Sequence, residues 1–281
     1  MVTKYSPILA KIFQNAFDLR RQWTMAANED LNSDTTAEIE AQVHEVAIKM
    51  IYKFNDATFR PIFSNLVEWA SSSLPKKDKA GRSLRLQSIY GFMAVFFDNL
   101  KSIVTSYATY LLDNAVDALT NVNPKEEVST ELWSGVLRTL VKCFEHDQDD
   151  FWQSPLHFSA VAPVLCAQFT NASALPLVQE LVPAIVELAA AADSSDHHKE
   201  LNGAILKHMR SENASVRLAA VKCEQELTDR LGEEWLSMLP EMLPFISELQ
   251  EDDDEVVEKE THRWIVKIEG VLGESLDSML Q

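Results

Sequence analysis

Residues 201–232 read "LNGAILKHMRSENASVRLAAVKCEQELTDRLG", and 41 residues further on, at 242–273, stands "MLPFISELQEDDDEVVEKETHRWIVKIEGVLG". The two stretches align without a gap. Leu201 pairs with Met242, Ile205 with Ile246, Val216 with Val257, Ala220 with Thr261, Cys223 with Trp264, Leu227 with Ile268, Leu231 with Leu272 and Gly232 with Gly273. In the second half of each stretch these positions fall at i, i+4, i+7, i+11 and i+15, a single stripe of a helix. Each stretch therefore predicts two helices joined by a turn, with an oily side that a neighbour has to cover.

A helix pair recurring at about 40 to 47 residues is the signature of HEAT and armadillo arrays, whose units bury each other's faces in a stack. "NASVRLAAVK" resembles the turn and second-helix start of a HEAT repeat, and Asn213, Val216, Arg217, Ala219 and Ala220 carry that resemblance. In the following unit Asp254 and Val257 match, while Glu258 stands where the arginine belongs, as expected of a terminal repeat. The acidic run Glu251 to Glu255 then falls in the turn before a helix. Carboxylates there accept first-turn N–H groups and oppose the positive helix end, each contributing roughly 0.3–1 kcal/mol. A calcium loop would need a glycine at its sixth position, and this run has none. The run predicts a cap, not a metal site.

The composition agrees with an all-helical chain. Seven glycines in 281 residues leave few positions for tight hairpins. Cys143, Cys166 and Cys223 match neither a zinc spacing nor an even disulfide framework, and they read as buried apolar residues of a reducing compartment. No apolar run is long enough to span a bilayer, and no signal pattern opens the chain, so a soluble, unsecreted protein is expected. The sequons at Asn171 and Asn213 are then better read as helix-starting turns.

The net charge of −18 is unevenly placed: residues 1–110 carry 13 Lys/Arg against 11 Asp/Glu, and residues 111–281 carry 12 against 32. So acidic a surface repels phosphate backbones, which confines any nucleic-acid contact to the first third.

Upstream, Tyr5, Ile8, Leu9, Ile12, Phe13, Ala16 and Phe17 predict a first apolar helix face opened by Ser6-Pro7, followed by the polar connector "ANEDLNSDTTAE" and a helix through Val43, Ala47, Met50, Ile51 and Phe54. Further helices are expected at 57–73, over 83–122 with a break near Asn99 to Thr105, and at 129–145, 155–170, 175–192, 197–210, 214–231, 234–250 and 254–272. The fold expected is an all-α, HEAT-like helical-repeat solenoid of roughly a dozen helices. It would form one domain over 1–281, less regular over 1–123 and built of regular acidic repeats over 124–281.

Catalytic chemistry finds no support. "CFEHDQDDFW" brings His146, Asp147, Asp149 and Asp150 together, but at a helix end and not at the three- or four-residue spacing of helical metal ligands. His197 and His198 stand at a turn, where capping and solvation account for them, and His44, His157, His208 and His262 are scattered through helical patterns. Nucleophile elbows, phosphate loops and H-E-x-x-H are absent from the sequence. An enzyme, a cofactor, a metal and a small-molecule substrate are therefore not expected. The one basic cluster is Lys76, Lys77, Lys79, Arg82 and Arg85, a candidate contact for RNA phosphate or an acidic partner. A solvated connector is the plainer reading, and the lack of interleaved aromatics argues against base stacking.

"FRPIFSNLVEWASSS", "YLLDNAVDAL" and the closing "LPEMLPFISELQEDDDEVVEKETHRWIVKIEGVLGESLDSML" together resemble the C-terminal region of the U3 small nucleolar RNA-associated protein 10 family. Arg60, Pro61, Phe63, Leu66, Val67, Trp69 and Ala70 carry the first stretch, and Leu239, Pro240, Pro244, Glu251, Asp252, Val257 and Gly273 the last. The resemblance implies a non-catalytic scaffold of the small-subunit processome in the nucleolus of the nucleus, acting in pre-rRNA transcription and processing. Its implied partners are other processome proteins, and pre-rRNA or small nucleolar RNA through the N-terminal third, with no membrane. It also implies a far longer parent, in which the Tyr5 to Phe17 face would meet a preceding repeat; bare, that face invites dimerisation. Two other readings compete: a transport receptor or adaptor holding basic cargo on an acidic face, and a helical-repeat repair enzyme, which the acidic second part disfavours.

Overall fold

The structure, a computed structural model, describes residues 2–26 and 33–280. Within them the regular elements are fifteen α-helices and three short 3-10 turns, with no strand. No helix among them is long and apolar enough to cross a membrane. The chain divides into two compact units, 1–146 and 147–281.

The first unit contains α1 (Val2–Phe17), α2 (Leu19–Ala26), α3 (Ser33–Ile51), α4 (Asp56–Ser72), α5 (Lys79–Asn99), α6 (Val104–Ala108), α7 (Leu112–Thr120) and α8 (Glu127–Glu145). Its centre is α5, which packs against α2, α3, α4 and α8 and is buried nearly all round. An aromatic cluster fills the space between them: Phe17 lies 4.8 Å from Phe92, and Phe63 meets Tyr107 edge-on at 4.8 Å. Asn55 caps α4 through the Thr58 N–H, and Asp78 caps α5 through the Gly81 N–H at 2.9 Å. A Cβ on residue 81 would stand 2.5 Å from the Asp78 carboxylate, so a larger residue there would push the capping side chain aside.

The second unit contains α9 (Pro155–Ala167), α10 (Leu177–Ala192), α11 (Ser195–His208), α12 (Ala214–Leu231), α13 (Glu233–Leu236), α14 (Leu239–Leu249) and α15 (Glu255–Leu272). Here the 41-residue repeat is realised in space. Helices α9, α11 and α14 each pair with the helix that follows in the repeat, α10, α12 and α15, and α12 lies between α10 and α15. The predicted stripe is the packed one: Val216, Ala220, Cys223 and Leu227 of α12, and Val257, Thr261, Trp264 and Ile268 of α15, are all buried. Polar ties cross the same layer, with the Trp264 indole donating to the Thr228 hydroxyl at 3.0 Å.

Several expected boundaries move. Pro7 does not open α1, which begins at Val2 and runs through it, so the bond that an N–H at residue 7 would make to the carbonyl of residue 3 is missing. Residues 19–26, to which the sequence pattern assigned nothing, form α2; of the polar connector, residues 27–32 lie outside the described residues and 33–38 already belong to α3. The break after Asn99 is present, but the segment beyond it divides into α6 and α7. The helix expected at 234–250 is two, because Pro240 takes a first-turn position in α14 where no N–H is needed. The two compact units divide at residue 146, with α8 packed along α5 in the first.

Candidate functional site

The repeat-defining residues form a clasp between consecutive helix pairs. Arg217, at the start of α12, donates from Nε and Nη2 to the two oxygens of Asp252 at 2.8 and 2.6 Å, and from Nη2 to Asp253 at 2.7 Å. Its Nη1 donates to the carbonyls of Ser211 and Glu212. Asn213 caps α12 by accepting from the Ser215 N–H, and its amide donates to Ser173 at 2.7 Å, 40 residues back. Asp254 accepts from the Val256 and Val257 N–H groups and so caps α15. The five acids are thus divided by position. Asp252 clasps, Asp254 caps, and Glu251 and Glu255 face solvent. Burial opposes the Asp252 charge, but the Arg217 guanidinium and the Asp254 N–H together hold its carboxyl below the ordinary carboxylate range.

More charge pairs cross between α10, α12 and α15. Arg230 reaches Glu187, Lys222 reaches Glu260, and Lys267 reaches Asp229 and Glu226. Arg210 forks Glu248 between α11 and α14. The unit carries 9 Lys/Arg against 26 Asp/Glu. Six of those cations, Arg210, Arg217, Lys222, Arg230, Arg263 and Lys267, are ion-paired to its own carboxylates. Exposed pairs of this kind contribute little stability singly, about 0–1 kcal/mol, but they fix which helix sits beside which. They also leave this unit with surplus carboxylate and little cationic surface to offer a phosphate.

The basic cluster separates into two roles. Lys76, Lys77 and Lys79 are exposed at the start of α5, and Arg82 is half-buried with Nη2 donating to the Lys76 carbonyl. Arg85 is not a surface contact. It is 6% exposed, its Nε donates to Asp18 at 2.7 Å, its Nη1 donates to the Ser73 hydroxyl at 2.7 Å, and its guanidinium lies 4.1 Å over the Trp69 ring. Asp18 is also forked by Arg21 at 2.8 and 2.6 Å. Arg85 stands six residues beyond Lys79, and at about 3.6 residues per turn that places it about 120° away around the helix, on the packed side of α5.

The histidines and remaining acids hold structure together. His197 and His198 lie buried in the first turn of α11 and are not solvated: His197 shares a hydrogen bond of 2.9 Å with the Gln153 carbonyl and stacks on Phe158, while His198 does the same with the Ala189 carbonyl at 2.8 Å. Asp147 accepts from the Trp152 N–H at 3.4 Å, and Asp149 and Asp150 adopt left-handed turn conformations. His146 groups instead with Asp98 and Glu145, whose ligand atoms lie within 4.8 Å of one another. Both of those carboxylates already hold the Lys142 ammonium, at 3.1 and 2.8 Å. Asn171 closes a 3-10 turn and starts no helix.

Glu224, which the sequence analysis did not single out, is fully buried in α12. It accepts from the Trp235 indole N–H at 2.7 Å, and its other oxygen has no hydrogen-bond partner. Burial pushes its carboxyl up to about 8. Only its place inside the packed layer marks it, and a glutamate between Cys223 and Gln225 carries no such signal in the sequence.

Comparison with known proteins finds relatives along the whole chain. Residues 1–152 match the family model described as the BP28CT (NUC211) domain. Proteins named U3 small nucleolar RNA-associated protein 10 match the whole chain, at 61% identity in Chaetomium globosum and 60% in Neurospora crassa. The chain spans only 16% and 15% of the length of these two relatives. Among solved structures, two engineered proteins align over 90% and 93% of the chain and 99% and 98% of their own, at 16% identity and TM-scores of 0.47 and 0.44, too distant to add to the fold described above. The chain belongs to the BP28CT (NUC211) domain family, and the resemblance to U3 small nucleolar RNA-associated protein 10 carried by its first and closing motifs extends along its full length.

Proposed function

We propose that this chain is a non-catalytic scaffold domain of a ribosome-biogenesis factor, working in the nucleolus within the small-subunit processome during pre-rRNA transcription and processing. One observation carries the reading: 61% identity over all 281 residues to a protein named for its association with U3 small nucleolar RNA. The geometry is compatible with it. Five cations of the second unit, Arg210, Arg217, Lys222, Arg230 and Lys267, pair with carboxylates of a neighbouring element, and the surplus acids are left to the surface, an arrangement suited to meeting other proteins. Lys76, Lys77, Lys79 and Arg82 are the residues through which the first unit would meet RNA phosphate.

The test is immunoprecipitation of the tagged chain from nuclear extract, with U3 small nucleolar RNA and pre-rRNA quantified against an unrelated small RNA. Enrichment of both supports the reading. Recovery of neither, together with saturable binding of a basic peptide to residues 147–281, would favour the adaptor reading, for which the 26 acids of that unit are the supporting observation.

A further inference from the structure

The second unit holds a groove between α10 and α12, about 420 Å³ in volume and within the roughly 300–1,000 Å³ usual for ligand sites. Its floor is apolar: Val182 and Val186 are buried one turn apart on α10, with Val178 and Pro183 exposed at the mouth. Pro183 also supplies no N–H to the carbonyl of residue 179, one turn back on the same side of the helix, which leaves a backbone acceptor there. The opposite wall, on α12, is charged and runs Lys222, Glu226, Asp229 and Arg230.

The charges of this wall are not equally engaged. Lys222 donates to Glu260 of α15, Arg230 forks Glu187 of α10 at 3.3 and 3.2 Å, and Lys267 of α15 donates to Asp229. Both cations lining the groove are therefore spent on carboxylates beside them. Glu226 is the exception. Among the described residues the one cation within salt-bridge reach of it is Lys267, at 3.8 Å, too far for a hydrogen bond and already committed to Asp229. The Glu226 side chain is 55% exposed and stands midway between Lys222 and Arg230, four residues from each. A carboxylate with no hydrogen bond thus overlooks an apolar floor. A phosphate would be repelled here, in a unit with 9 Lys/Arg against 26 Asp/Glu.

We propose that the α10/α12 groove holds an arginine side chain from a basic segment of a partner protein, its methylene stem laid over Val182 and Val186 and its guanidinium forking the Glu226 carboxylate. A long stem against apolar surface with the charge kept at the open mouth is how such side chains ordinarily bury. Arginine suits the groove better than lysine, because its planar head carries donors enough for a carboxylate and a backbone carbonyl at once, whereas an ammonium acts as a point charge. The inference does not rest on the ribosome-biogenesis reading: its test uses the purified chain and is independent of whether U3 RNA is recovered from extract.

The experiment titrates the 281-residue chain against a fluorescein-labelled peptide, Ser-Gly-Lys-Leu-Arg-Leu-Lys-Gly-Ser, and against the same peptide with glutamine in place of its arginine, both read by anisotropy. Glu226→Gln should weaken the arginine peptide by about tenfold and shift the glutamine peptide by less than about twofold, the coupling that a direct contact between the two side chains requires. Glu251→Gln removes the same charge from a solvent-facing position outside the groove and should shift either peptide by less than about twofold. Glu226 is exposed, so its variant should keep the thermal midpoint of the parent chain, and the loss is then one of binding. Equal weakening by Glu226→Gln and Glu251→Gln would assign the binding to the acidic surface at large and overturn the proposal. So would a parent chain that binds the two peptides alike, or that binds neither at about 1 mM.

Discussion

Arg217 and Asp252 face each other from consecutive helix pairs as a two-bond fork of 2.8 and 2.6 Å, with both side chains nearly buried. Removing one partner strands the other away from water, so Arg217→Ala should cost about 3 kcal/mol in urea denaturation, and Arg217→Lys should recover only part of it for want of the fork. The Asp252 carboxyl titrates below its ordinary 3.8 in the folded protein. Its stabilising contribution is therefore present above that pH and is lost as the pH falls through the lower folded value. The gap between wild type and Arg217→Ala should narrow in acid, below about pH 4.

Glu224 runs the opposite way. Folded, it keeps its proton up to about 8, while the unfolded chain releases it near 4.5. Between those values the native state binds the extra proton, so stability should fall as pH rises, by about 1.4 kcal/mol per pH unit from this group. Glu224→Gln keeps an acceptor for the Trp235 indole and has nothing to ionise. Urea midpoints at pH 5 and pH 8 should show the variant gaining on wild type at the higher pH.

The basic cluster should split under mutation. Arg85→Ala breaks a buried pair with Asp18 and should cost about 3 kcal/mol of stability, softened where Arg21 keeps hold of the acid. Replacing Lys76, Lys77 and Lys79 together by Ala should leave the thermal midpoint nearly unchanged. If these lysines meet single-stranded RNA, the same triple variant should flatten the slope of log affinity against log salt by about 2. Fluorescence anisotropy with a labelled oligonucleotide measures it.

Two helix caps of the repeat can be compared directly. Asn213→Ala and Asp254→Ala should each cost about 1 kcal/mol, as the loss of a helix N-cap ordinarily does. Asn213→Asp should restore the cap to α12 but not the donation to Ser173. A double-mutant cycle with Ser173→Ala would isolate that second bond.

The repeat was legible in the sequence because burial is periodic: Val216, Ala220, Cys223 and Leu227 mark their face whatever the turns do, and the structure packs that face. The clasp was legible only in part. Arg217 was marked by its place after Asn213, but nothing in the sequence named its partner; the structure gives Asp252, because the cap consumes Asp254 and the turn presents its neighbours. Arg85 was misplaced for a different reason. Its partner Asp18 is 67 residues away, and a contact at that distance along the chain leaves no local pattern. His197 and His198 failed likewise, since the carbonyls they meet, Gln153 and Ala189, carry no side-chain identity to read.

The turn at 251–255 also bears on how this chain tolerates insertion and deletion. Its acids are assigned by ordinal place, since Asp252 meets a guanidinium across the junction while Asp254, two residues on, tops the following helix. Shortening the stretch by a single aspartate would leave it almost as negative and would still deprive either the clasp or the cap of its residue. What the segment conserves physically is a count, and a charge-preserving frame slip would be felt as a misfitted joint.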